Sequence, residues 1–147
     1  ARELRKHKDI TVVTNGLKVA YELTPNPNIV TMLIGGVCGH NSFVAYGHDT
    51  IQSFSRIRAH KYFMGIDAIQ LGFGISDGDP HQIQLKATKA ASSKEVIGIA
   101  DRSKLGKIGV VEVGKLGILD YLVMDSPVSE SLKLELAKEN VTLIEVD

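Results

Sequence analysis

Short clusters of small polar and charged residues follow directly on apolar, β-branched runs along this chain. They are Thr14-Asn15-Gly16, Gly35-Gly36, Gly65-Ile66-Asp67, Asp101-Arg102-Ser103-Lys104 and Asp125-Ser126. Glycine lets backbone N–H groups approach a ligand closely, Asn and Ser bond hydroxyls, Asp accepts hydrogen bonds from polyols, and Lys neutralises an anion. That inventory suits a small phosphorylated or polyhydroxylated molecule, with Asn15, Gly35, Gly36, Asp67, Asp101 and Lys104 as candidate contacts. A plainer reading stands beside it, because strand ends need turn residues whatever they bind. The ligand reading gains weight only if all five clusters line one rim, the carboxyl ends of strands in an open α/β sheet.

Other candidate chemistry is weaker. Gly72-Phe73-Gly74 lacks the third glycine of a dinucleotide fingerprint and follows no strand directly. Asp77-Gly78-Asp79 begins like a calcium loop, but the alternating oxygen ligands and terminal Glu do not follow. His7, His40, His48, His60 and His81 show no zinc-site spacing, and Cys38 stands alone as a small hydrophobe. Asn140-Val141-Thr142 matches a glycosylation sequon, which carries no meaning without a secretory context. No metal and no cofactor is expected.

With 44% hydrophobic and 23% charged residues in 147, the composition is that of a folded domain rather than a disordered chain. Seventeen basic residues balance 17 acidic ones, so no global field draws the chain to a phosphate backbone or an anionic membrane. No run approaches the roughly 18 apolar residues of a membrane span, and the charged start is unlike a signal peptide. A single unpaired cysteine fits a reducing, cytoplasmic setting. The absence of an initiator Met points to a processed chain or a piece of a longer one.

The elements that must position these clusters alternate. Strands are expected at Ile10–Thr14, Ile29–Ile34, Lys61–Ile66, Glu95–Ala100, around Val110–Val113, at Tyr121–Met124 and at Val141–Val146. Helices are expected over Asn15–Leu23, with Leu17, Ala20 and Tyr21 on one face, and from an Asp49 N-cap to about Arg58. Two more run from about His81 to Ser93, with Ile83, Ala87, Ala90 and Ala91 inward, and from Ser126-Pro127 or Ser129, with Leu132, Leu134, Leu136 and Ala137 apolar. Val37–His48 reads as strand and loop, and Asp67–Pro80 as a loop rich in Gly and Asp. Strands alternating with helices predict an α/β fold: three layers, a mainly parallel sheet with helices on both faces, Rossmann-like.

The series Ile-Thr-Val-Val-Thr-Asn-Gly (10–16), Leu-Ile-Gly-Gly (33–36), Lys-Tyr-Phe-Met-Gly-Ile-Asp (61–67), Ile-Ala-Asp-Arg-Ser-Lys-Leu-Gly (99–106) and Met-Asp (124–125) resembles the C-terminal sensor domain of the DeoR family of bacterial transcriptional regulators. The order agrees over essentially the whole chain. The resemblance implies a phosphosugar-isomerase-like fold that senses a sugar phosphate rather than converting it, in a cytoplasmic homo-oligomer whose N-terminal helix-turn-helix binds DNA. It also implies that residues 1–147 form one effector-sensing domain, lacking that DNA-binding domain and the family's first strand with its phosphate-cradling loop. Lys86 joins the expected effector site by the same resemblance. Where family members often carry an acidic residue a turn before it, Gln82 and Gln84 stand here, and an amide is no general base. The expected activity is therefore effector sensing and oligomerisation without catalysis. The alternatives are a sugar-phosphate isomerase or deaminase of the related fold, and an assembly domain that senses nothing.

Overall fold

A computed structural model describes residues 1–39 and 43–147, so His40 lies outside the described residues. The chain divides into two compact units, Ala1–Phe54 and Ser55–Asp147.

In the first unit, β1 (Ile10–Thr14), α1 (Leu17–Leu23) and β2 (Ile29–Leu33) form a βαβ crossover, the two strands pairing in parallel from Ile10↔Ile29 to Thr14↔Leu33. The hydroxyl of Thr14 accepts from the Gly16 amide at 3.0 Å where the strand turns into the helix. The inward face of α1 differs from the expected one: Ala20 and Leu23 are buried, while Leu17 and Tyr21 face solvent, Tyr21 at 83% exposure. Periodicity supplied two overlapping stripes through Ala20, and docking of so short a helix selected the other. Within Val37–His48 lie two short antiparallel strands, β3 (Val37–Cys38) and β4 (Ala45–Tyr46). Helix α2 (His48–Ser55) starts one residue before Asp49. Asp49 therefore stands in the first turn rather than at the cap, where its charge still complements the helix N-terminus.

The second unit holds the main sheet. Four parallel strands, β5 (Ala59–Gly65), β8 (Ser93–Ala100), β10 (Tyr121–Asp125) and β11 (Thr142–Val146), are ordered β11-β10-β8-β5. Met64, Val96, Leu122 and Met124 belong to a core that also takes Leu132 and Leu136 from α4 (Glu130–Lys138). The architecture is α/β, a mainly parallel sheet flanked by helices.

Asp67–Pro80, expected as a loop, contains β6 (Ala68–Gln70) and β7 (Gly74–Asp77), which pair antiparallel. A third strand, β9 (Val111–Gly114), extends this sheet on the β7 side. The two hairpin strands are three and four residues long, too short to show a period of two. Their strand character comes from pairing across long sequence separation, which local pattern does not carry. Helix α3 (Pro80–Ala91) opens as its sequence dictates: the Asp79 carboxylate accepts from the His81 amide at 3.0 Å, and Pro80 occupies a first-turn position that needs no N–H. Its buried residues are Leu85 and Ala90; Ala87 and Ala91 are exposed, contrary to expectation. Of the two expected starts for α4, Ser129 is the cap. Leu134 and Ala137 point outward on α4 while Leu132 and Leu136, one turn apart, face the core.

Candidate functional site

Three of the expected contacts lie in the first unit, and each has an internal partner. Asn15, 4% exposed, donates from Nδ2 to the Ala45 carbonyl at 2.6 Å, and its own carbonyl accepts from the Ala45 amide at 2.8 Å. It fastens the end of β1 to β4. The carbonyl of Gly35 accepts from the buried Thr50 hydroxyl at 2.8 Å. Gly36, at φ +154°, packs so closely that a Cβ would come within 2.6 Å of the Tyr46 carbonyl oxygen and meet the Thr50 hydroxyl. Only glycine fits there, for reasons of packing.

The other four belong to the second unit, and the structure adds a fifth residue to them. Asp67 follows β5. Asp77, the last residue of β7, is 1% exposed. Lys86, in the second turn of α3, donates to Asp77 Oδ2 at 2.5 Å and to the Gly65 carbonyl at 2.8 Å. The Asp79 amide donates to the remaining oxygen, Oδ1, at 2.8 Å. Both oxygens of Asp77 are thus bound, and the charge of Lys86 is matched inside the fold.

The two carboxyls respond in opposite directions. Burial works against the charge of Asp77, but hydrogen bonds from Lys86 and the Asp79 amide, with the Lys86 charge, hold it below the usual carboxylate range. Burial raises Asp67, and the negative charge of Asp77 raises it further against the pull of Lys86 and Lys104. Around the pair, burial and the Asp77 charge push the Tyr62 phenol up. Burial and the Lys86 charge bring Lys89 down to about 8. Asp67 is therefore the arm that reaches solvent, and Asp77 the fixed charge behind it.

The last strand-end cluster is tied largely to itself. Asp101 caps a single 3-10 turn (Arg102–Lys104) by accepting from the Ser103 amide at 2.8 Å. Arg102 donates from its backbone amide and, at 2.7 Å, from Nε to the Asp125 carboxylate, linking the ends of β8 and β10. Lys104 has no ion pair among the described residues, yet its charge bears on both Asp67 and Asp101. An acceptor of hydroxyls, Asp67, thus stands within electrostatic reach of an unmatched cation, Lys104, and that combination can hold a polyol bearing an anionic group.

Asp77 was missed because its segment was compared with a calcium loop. The signal present was different: an Asp two residues before a helix cap, nine residues ahead of a Lys that faces back along the first turns of that helix. Among the described residues no group of three or more His, Cys, Asp or Glu could hold a metal ion. No described helix is long and apolar enough to cross a membrane.

The family described as the DeoR C-terminal sensor domain matches residues 1–126. The HTH-type transcriptional regulator GolR of Listeria innocua is 30% identical over 132 residues, 90% of this chain and 52% of that protein. The putative aga operon transcriptional repressor of Escherichia coli is 27% identical over 144 residues, 98% of this chain and 54% of the relative. The glycerol-3-phosphate regulon repressor of Haemophilus influenzae is 30% identical over 122 residues, 83% of this chain and 48% of the relative. The chain spans about half the length of these curated relatives.

Proposed function

Since the chain belongs to the DeoR C-terminal sensor-domain family, we propose that it is the effector-sensing and oligomerising part of a cytoplasmic regulator of carbohydrate metabolism, acting as a repressor and responding to a phosphorylated sugar. The observation that carries the ligand class is the Lys104 cation, without an ion pair among the described residues, within electrostatic reach of the exposed carboxyl of Asp67. A relative named for the glycerol-3-phosphate regulon supports a phosphorylated polyol. DNA is contacted through a helix-turn-helix domain outside these residues; relatives about twice as long, one of them named an HTH-type regulator, support this division. Self-association is supported by one face of the four-stranded sheet, where Phe63, Ile99, Ile144 and Val146 are each more than 40% exposed.

The domain senses without catalysis. A second reading, a sugar-phosphate isomerase or deaminase, draws on the carboxyl pair that Asp67 forms with Asp77. Against it, both Asp77 oxygens are held by Lys86 and Asp79 in a buried position, leaving one carboxyl to act alone. Incubation with ketose and aldose phosphates separates the readings by turnover.

In the full-length protein, Lys104→Ala is expected to weaken effector binding by about 1.5 to 3 kcal/mol, as for a hydrogen bond to a charged group, with melting unchanged. Calorimetric titration giving equal affinity in both proteins removes Lys104 from the site.

A further inference from the structure

Between Lys104 and the start of β9 at Val111, residues 105–110 form no regular element. Such a segment is mobile unless it is tied down. Here it is tied at two places across the β6–β7 hairpin. Leu105 bridges to Ile69, and the Gly106 amide donates to the Ile69 carbonyl at 2.8 Å. Farther on, the Gly109 amide donates to the Ser76 hydroxyl at 2.8 Å. Both anchors adjoin a carboxyl of the candidate site: Ile69 is two residues from Asp67, and Ser76 precedes Asp77.

Two features make the second anchor specific. Ser76 is fully buried, so its hydroxyl is committed to this amide rather than to solvent. A Cβ on Gly109 would lie 2.5 Å from the Asp77 carbonyl oxygen and 2.6 Å from its carbonyl carbon and amide nitrogen. Backbone rests on backbone there, and no side chain fits between.

We infer that Ser76 and Gly109 are positioning residues: they clamp the segment following Lys104 across the hairpin and thereby hold Lys104, whose neighbour Leu105 bridges to Ile69, near Asp67. The clamp is a property of the unliganded chain; its consequence for binding rests on the sugar-phosphate reading above. Asp67 is faced by Asp77 from β7, Lys86 from α3 and Lys104 from the 3-10 turn, while Asp77 in turn acts on Tyr62 of β5 and Lys86 on Lys89 of α3. Of these, Lys104 is the one that leads directly into the clamped segment.

The test is a titration cycle on the whole chain, reading the Asp67 carboxyl by carbon-detected NMR in the parent, Ser76→Ala, Lys104→Met and the double variant. Lys104→Met removes a cation that lowers Asp67, so the midpoint moves up. Ser76→Ala is expected to move it the same way, with no further movement in the double variant, and Ser76→Thr, which keeps the hydroxyl, is expected to titrate like the parent. Unmodified chain supplies a second readout that needs no variant to fold: the Gly106 and Gly109 amides exchange with solvent more slowly than amides of an unstructured chain. The inference is overturned if Ser76→Ala leaves the Asp67 midpoint where it was, if the two substitutions add in full, or if both amides exchange at the unprotected rate. Failure of the sugar-phosphate reading appears elsewhere, as a parent protein indifferent to sugar phosphates, and leaves this cycle untouched.

Discussion

Asp77→Asn is expected to destabilise the second unit by about 3 to 5 kcal/mol at neutral pH, the cost of removing one partner from a buried ion pair. The Asp77 and Lys86 side chains are 2% and 12% exposed, so an ammonium stripped of its counter-charge cannot turn fully into water. The pH dependence follows from the opposite directions of the two carboxyls. Asp77 is held below its ordinary value; its contribution is complete above about pH 4 and is lost as pH falls through the lower folded value. Asp67 is raised, so ionising it costs the native state, and stability declines as pH rises through a folded midpoint above the ordinary range. In Asp77→Asn the acid-side loss should shrink, and the Asp67 midpoint should move down because the charge that raised it has gone. Urea denaturation at neutral and acid pH measures both. Pairing the variant with Lys86→Met should cost less than the sum of the two single changes. A neutral-pH loss below about 1 kcal/mol, the range of an exposed pair, would show that this ion pair does not secure α3 to the hairpin.

The second large effect concerns the first unit. Gly36→Ala is expected to cost about 2 to 4 kcal/mol, combining overpacking with backbone strain, because the new methyl group meets the Tyr46 carbonyl and the Thr50 hydroxyl at a φ of +154°. Gly35→Ala is the control. Nothing lies within 4 Å of a Cβ at Gly35, which is exposed; its melting should stay within about 0.5 kcal/mol of the parent, as for a surface position. Thermal melts and amide exchange over residues 1–39 compare the two. Equal effects would mean that the Thr50 contact does not shape this loop. Loss of ligand affinity in Gly35→Ala without loss of stability would mark Gly35 as a contact in its own right.

What could be read from sequence divides along a physical line. Strands written in their own β-branched runs, such as Ile10–Thr14, were legible to the residue, and the α3 start, expected at about His81, lies one residue earlier at Pro80, where the Asp79 cap acts on its immediate neighbours. The antiparallel sheet was not legible. Ile75 becomes a strand residue by pairing with Gly114, thirty-nine positions away, and no local pattern announces it. The face of a short helix was ambiguous for a related reason: Ala20 lies on two possible stripes, and only docking chooses between Tyr21 and Leu23.

The site divides in the same way. Asp67 and Lys104 stood out as charged residues at strand ends, and the Lys104 charge acts on Asp67. Lys86 was found through the family resemblance, but its match to Asp77 depends on how the hairpin folds back over α3. That fold commits Lys86 to Asp77 and the Gly65 carbonyl, and the proposed site accordingly rests on Lys104 as its cation. Asn15 and Gly36 were legible as unusual residues; their partners Ala45 and Thr50 explain them by packing and hydrogen bonding within the first unit.

The claim that the ends of the parallel strands around Asp67 and Lys104 receive a phosphorylated sugar is tested most directly by amide chemical-shift mapping. Nitrogen-labelled full-length protein is titrated with a panel of sugar and polyol phosphates and with the same compounds lacking phosphate. Saturable shifts at Asp67 and across Asp101–Lys104 are predicted for at least one phosphorylated member, with no response to its unphosphorylated counterpart. Saturable shifts confined to other residues, or none for any phosphorylated member, would contradict the assignment.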